Sequence, residues 1–134
     1  MTRLLHHLTS NYPISCLYMA FIWVLCFMDV PHTPLDNITL IDKWTHILMY
    51  AGTCATIWYE YLRMHDSIVR ARVFLLAWLA PLVMSGLIEI LQEYCTGGRR
   101  SGDWLDFAAN AIGVTLGNVI GILLAAYRAR KRRG

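Results

Sequence analysis

The chain has 134 residues, 57% of them hydrophobic and 16% charged, with a formal net charge of +3 and a mean hydropathy of +0.43. Soluble domains carry about a quarter charged residues, so this composition sets the chain apart from them and points to a membrane protein. The length allows one unit, residues 1–134.

Four apolar segments stand out, roughly Tyr12–Met28, Trp44–Leu62, Val73–Glu93 and Leu105–Tyr127. Each approaches or exceeds the ~20 residues that cross a bilayer core as a helix. Lipid offers no partners to backbone N–H and C=O groups, so each is expected to be helical. The first segment ends in Phe27-Met28-Asp29-Val30-Pro31, which lacks a small-residue cleavage site, and it is read as a retained helix. Pro31, Pro34, Gly97, Gly98 and Gly102 fall in connections, whereas Pro81 lies inside the third segment and predicts a kink there.

Lys and Arg divide unequally between the ends of these segments. Arg3, Arg63, Arg70, Arg72, Arg128, Arg130, Lys131, Arg132 and Arg133 fall on one side, and Lys43, Arg99 and Arg100 on the other. The positive-inside rule then predicts a four-transmembrane-helix bundle with both termini cytoplasmic and the 29–42 and 94–104 connections facing outward. The basic tail, residues 128–134, directly follows an apolar helix and reads as a topology anchor rather than a nucleic-acid patch. Trp44, Tyr50, Tyr94 and Trp104 are expected near the outer interface, and Tyr12, Trp58, Tyr59, Tyr61 and Tyr127 near the inner one. Cys16, Cys26, Cys54 and Cys95 show no CxxC spacing and read as small apolar fillers.

Three polar stripes share the predicted outer level. Asp42, His46 and Tyr50 repeat every four residues, with Lys43 beside them. Glu89, Gln92 and Glu93 fall at i, i+3 and i+4, with Ser85 a turn deeper. Asp103, Asp106 and Asn110 line one face of the last segment, near Arg99 and Arg100. Below Asn110 the stripe becomes Gly113, Gly117 and Gly121, a small-xxx-small pattern that lets helices approach closely and aims the Asp106 face into the bundle. Charges at such depth cost free energy unless paired or hydrated. Two readings follow: a self-satisfying plug in which Lys43 and Arg100 pair with Glu89 and Asp106, or a water-accessible pocket open to the outside.

The stretches DKWTHILMY, GLIEILQEY and GRRSGDWLDFAANAIGVTLG, followed by the basic tail, resemble the VanZ-like family of bacterial membrane proteins. The resemblance covers about residues 42–124. It rests on Asp42, Lys43, His46 and Tyr50, then Glu89 and Gln92, then Arg100, Asp106, Asn110 and Gly113. It implies an inner-membrane, cell-envelope role involving surface lipids or lipid-linked cell-wall precursors, in a family named for a protein of teicoplanin resistance.

The residues themselves admit three function classes. An enzyme acting on a lipid headgroup would use His46 and Asp42 as base and orienter, or Glu89 as general acid–base, with Asp106 beside them. Lys43 and Arg100 would hold phosphate, and Tyr50, Gln92 and Asn110 would complete the binding surface. A lipid-binding or shielding protein would use the same groups without chemistry. A proton-coupled carrier would need a relay through Asp106, Glu89 and His46, but the polar stripe fades below Asn110. No cofactor is expected. His46, Asp42, Glu89 and Asp106 suit an oxygen-loving divalent metal, yet supply only one imidazole.

Overall fold

The computed structural model describes residues 1–28 and 39–134. Most of the predicted 29–42 connection, with Pro31 and Pro34, lies outside the described residues. Five helices carry the rest: α1 (Thr2–Asn11), α2 (Pro13–Phe27), α3 (Thr39–Met64), α4 (Arg70–Cys95) and α5 (Trp104–Arg133). There is no strand among the described residues.

Helices α4 and α5 are each long and apolar enough to cross a membrane, and the α1–α2 pair passes the same test only if taken as one broken span. The pair bends by 106° at Tyr12, where Pro13 occupies the first turn of α2, the position at which a missing N–H costs a helix nothing. The first span was expected to begin at Tyr12; the additional helix α1 precedes it. Helix α3 has 26 residues but is too polar to qualify by composition. Leu17, Phe21, Leu48, Val83, Ile112 and Leu123 are exposed around the outside, while Glu60, Glu89, Gln92, Asn110 and Asn118 are buried within. This inverts the pattern of a water-soluble bundle and gives the chain the character of a membrane protein.

Helices α3 and α5 run parallel and make the most extensive contact in the molecule. The glycine stripe forms the seam. A Cβ on Gly113 would collide with the Ile47 carbonyl, and one on Gly121 with the Trp58 ring. At Gly117 it would lie 2.6 Å from both the Ala51 oxygen and Cys54 Cβ. Helix α4 runs antiparallel to both, and α2 parallel to α4.

Pro81 frees a backbone carbonyl within α4. A π-helical stretch, Phe74–Leu79, precedes it within α4. Proline has no N–H for the carbonyl four residues back, and that carbonyl, on Ala77, accepts from Asn118 Nδ2 at 2.8 Å and from Cys54 Sγ at 3.2 Å. The break in α4 thus becomes a bond to α3 and another to α5. Asn118 also donates to Val114 O and accepts from Trp58 Nε1, both at 2.8 Å.

Two apolar clusters fill the interior. One packs Tyr12, Ile57, Trp58, Tyr61 and Val73; the other packs Ile22, Cys26, Tyr50, Met84, Ile88 and Val114. Tyr12, Trp58 and Tyr61 are therefore core residues rather than the interfacial ones expected, whereas Trp44, Tyr59, Tyr94, Trp104 and Tyr127 are exposed. Cys26 and Cys54 are buried as apolar filler and Cys95 is exposed, all as free thiols.

Candidate functional site

Because α3 and α5 are parallel, their first turns meet. Asp103 caps α5, its side chain accepting from Leu105 N at 2.9 Å, a role for which a short carboxylate at the N-cap is suited. Asp106 and Asn110 follow at one-turn intervals and face α3. Lys43 Nζ donates to Asp103 Oδ2 at 2.9 Å and to Asp106 Oδ1, and lies 3.6 Å from Asp42 Oδ2. The Leu105 N–H, with Lys43 next, holds the Asp103 carboxyl below the usual carboxylate range.

Beneath this cation sits His46, with 14% of its side chain exposed. Its Nδ1 is 2.9 Å from Asn110 Oδ1, and Asn110 Nδ2 donates to Ser85 Oγ at 2.7 Å. With the amide nitrogen on Ser85 and the amide oxygen toward the ring, Nδ1 is the nitrogen that donates to Asn110, and Nε2 is turned toward the carboxylates. That Nε2 lies 3.8 Å from Asp42 Oδ1 and 3.8 Å from Asp106 Oδ2.

Helix α4 contributes Glu89, which is 6% exposed. Its Oε2 accepts from Asp103 N at 3.0 Å, while Oε1 has no hydrogen-bond partner among the described residues. Gly102 permits this closeness, since a Cβ there would collide with the Glu89 carbonyl. Glu93 accepts from Gly102 N at 2.9 Å. Gly97 and Gly98, at φ 60° and 82°, adopt the left-handed backbone that turns the chain after α4. Thr96 closes the turn by accepting from Arg100 N at 3.0 Å.

Two expected ligand-binding residues also work elsewhere. Gln92 Nε2 donates to Cys26 O at 2.8 Å, and Arg100 Nη2 donates to Met28 O at 2.9 Å and Leu25 O at 3.5 Å. They satisfy carbonyls at the C-terminal end of α2, which the helix itself leaves open. Arg100 does not pair with Glu89 or Asp106, so this half of the plug arrangement does not form. Tyr50 is 1% exposed and lies in the apolar core below the site, its hydroxyl without a hydrogen-bond partner among the described residues.

A cavity of about 300 Å³ opens between these groups, and Asp42, His46, Asp106, Gln92, Arg99 and Arg100 are among the residues that line it. A second, of about 270 Å³, lies past Asp103 between Glu89, Glu93, Tyr94 and Trp104. The structure thus gathers Asp42, Lys43, His46, Glu89, Asp106 and Asn110, places Gln92 and Arg100 at the cavity edge, and leaves Tyr50 outside it. An imidazole beside carboxylates can move a proton, and guanidinium groups lining the same cavity can hold an oxyanion.

Glu60 and Asn118 are among the buried polar residues that escaped the sequence reading. Glu60 sits far from the site and accepts from Ile14 N at 2.8 Å, Ser15 N at 2.9 Å and Ser15 Oγ at 2.5 Å. Asn118 extends the polar line two turns below Asn110, where only glycine and aliphatic residues were expected. An acid within an apolar segment and an amide in the glycine stripe were the available signals. No family model, curated protein or solved structure matches this chain.

Proposed function

We propose that the chain is a VanZ-like bacterial inner-membrane protein of four spans, with both termini in the cytoplasm. Its polar pocket faces outward and binds or modifies a phosphate-bearing headgroup of an envelope lipid or lipid-linked precursor. A contribution to teicoplanin resistance belongs to the same proposal, through the resemblance of its motifs. The reading draws on one observation above the rest. Asp42, His46 and Asp106 line one cavity together with two arginines, at one end of an apolar-sided bundle. The sidedness draws on the basic residues, which crowd the opposite end: Arg132 donates to Asp66 at 2.6 Å there, and Arg72 lies 3.1 Å from His65.

A second reading, a non-catalytic binder whose cluster is chiefly structural, is favoured by Lys43, which ties α3 to α5 through Asp103 and Asp106. Binding of phosphatidylglycerol in mixed micelles, measured alongside thermal unfolding, separates the two. His46→Ala and Arg100→Lys are expected to keep most of the stability and lose binding, since an ammonium does not reproduce the guanidinium fork. If binding and stability fall in step, and Lys43→Met with Asp106→Asn together restore both, the cluster is structural. Orientation is tested separately in intact cells: Cys95 should react with an impermeant thiol reagent, and a cysteine placed at Gly134 should not.

A further inference from the structure

We propose that Asp42, His46 and Asp106 form a binding site for a divalent first-row metal ion, Zn²⁺ or Mn²⁺, with open coordination positions toward the cavity that Arg99 and Arg100 also line. The inference deepens the headgroup reading and shares its pocket: the metal would take a phosphate oxygen that the arginines also hold.

Three features converge on it. The atoms His46 Nε2, Asp42 Oδ1 and Asp106 Oδ2 approach one another, with both carboxylate oxygens 3.8 Å from the nitrogen. A proton on Nε2 would not join them, because 3.8 Å exceeds hydrogen-bond reach. Ligand atoms at about 2.0–2.2 Å from one ion lie roughly 3 Å apart, so each carboxylate oxygen needs to close on the imidazole by less than 1 Å, within a set whose atoms all lie within 4.8 Å of one another.

Each of the three is also oriented from behind. Asn110, fixed by Ser85, holds the His46 Nδ1–H and leaves Nε2 free, the outer-shell arrangement that metal-bound imidazoles use. Lys43 engages the other oxygen of each aspartate, Asp42 Oδ2 and Asp106 Oδ1. The cation therefore aims the remaining oxygens at the histidine rather than occupying the space between them.

The third feature is Glu89. It is 94% buried by its 6% exposure, lies within electrostatic reach of His46, Asp103 and Asp106, and keeps Oε1 without a hydrogen-bond partner among the described residues. A buried oxygen in that state calls for a donor or a cation; Glu89 borders the adjoining cavity and is linked to this one through Asp103, from whose N–H it accepts. One imidazole with carboxylate oxygens favours Zn²⁺ or Mn²⁺ over copper or a thiolate-preferring ion.

The test uses the whole chain, purified in detergent and stripped with EDTA. Zn²⁺ and Mn²⁺ are titrated alone by calorimetry, and phosphatidylglycerol binding is then measured with and without EDTA. One ion per chain is expected. Affinity should fall at least tenfold in Asp42→Asn, whose exposed side chain makes misfolding a minor concern, and further in His46→Gln, with circular dichroism confirming the fold. His6→Gln with His7→Gln, at the far end of α1, should leave it unchanged. No binding in the wild type, or binding that survives both Asp42→Asn and His46→Gln, overturns the metal site. Metal binding without phosphatidylglycerol binding upholds the ion and sinks the headgroup reading. Lipid binding indifferent to EDTA, with no metal uptake, does the reverse.

Discussion

Two buried glutamates, at opposite ends of the bundle, do different work with the same chemistry. Each reaches the N-terminus of a neighbouring helix, where unpaired N–H groups favour an anion. Glu60 has both oxygens engaged by Ile14 and Ser15 of α2. Glu89 gives one oxygen to Asp103 N, at the start of α5, and leaves the other without a hydrogen-bond partner among the described residues. A buried carboxylate that is fully satisfied holds a fold together. One that is half satisfied beside a cavity retains capacity for something that comes and goes. The difference separates anchor from site more sharply than burial or sequence position does.

The largest way to break this comparison is Glu60→Ala. It leaves the Ile14 and Ser15 donors without their acceptor and should cost about 3 kcal/mol, read as a fall in the thermal unfolding midpoint in detergent, with binding lost only as folding is lost. Gly117→Leu comes next, because the seam has no room beside Ala51 and Cys54; overpacking of this kind costs about 1–3 kcal/mol. Wild-type stability in that variant would show that the seam can open. Glu89→Gln sharpens the contrast from the other side. Its amide oxygen can still accept from Asp103 N, so unfolding should shift by no more than about 1 kcal/mol while phosphatidylglycerol binding falls at least tenfold. A loss of stability as large as that of Glu60→Ala would make Glu89 an anchor as well.

The smallest expected effect is in acid. The Leu105 N–H and Lys43 lower the Asp103 pKa, so its bonds add stability above the unfolded value of about 4 and lose it as pH falls through the depressed folded value. Asp103→Asn should flatten that acid limb of an unfolding-midpoint-versus-pH curve. The side chain is 42% exposed, so solvent screening keeps the change small. An unaltered limb would assign the acid sensitivity to other carboxylates.

Much of the architecture was legible because helical periodicity and charge sidedness act over many residues. The stripe Asp42–His46 and the stripe Asp106–Asn110 are each four residues apart, so the facing of each helix followed from its own sequence. The glycine spacing likewise marked a close helix contact, though not that α3 is the partner. What was not legible depends on partners distant in the chain. Glu60 reads as a misplaced acid until Ser15 lies opposite it, and Trp58 reads as an interfacial ring until Asn118 accepts its N–H. That Gln92 and Arg100 also serve the α2 carbonyls was not legible, because nothing in their own segments shows that α2 ends beside them. Pro13 did carry a local signal, at the first turn of a helix, for the bend that separates α1 from α2.

The parallel seam between α3 and α5 has a consequence for how the protein is made. Helix α3 is synthesised well before α5, and it brings Asp42, Lys43 and His46 with it while the Asp103 and Asp106 carboxylates and the Asn110 amide do not yet exist. Its own apolarity falls short of what membrane insertion asks, whereas that of α4 and α5 does not. In a four-span protein, α3 should therefore settle stably across the bilayer only when the last helix arrives to neutralise and solvate its first turns. A nascent chain halted after α4 would expose α3 as a loosely held, protease-accessible segment, and its protection would mark the moment at which the pocket itself comes into being.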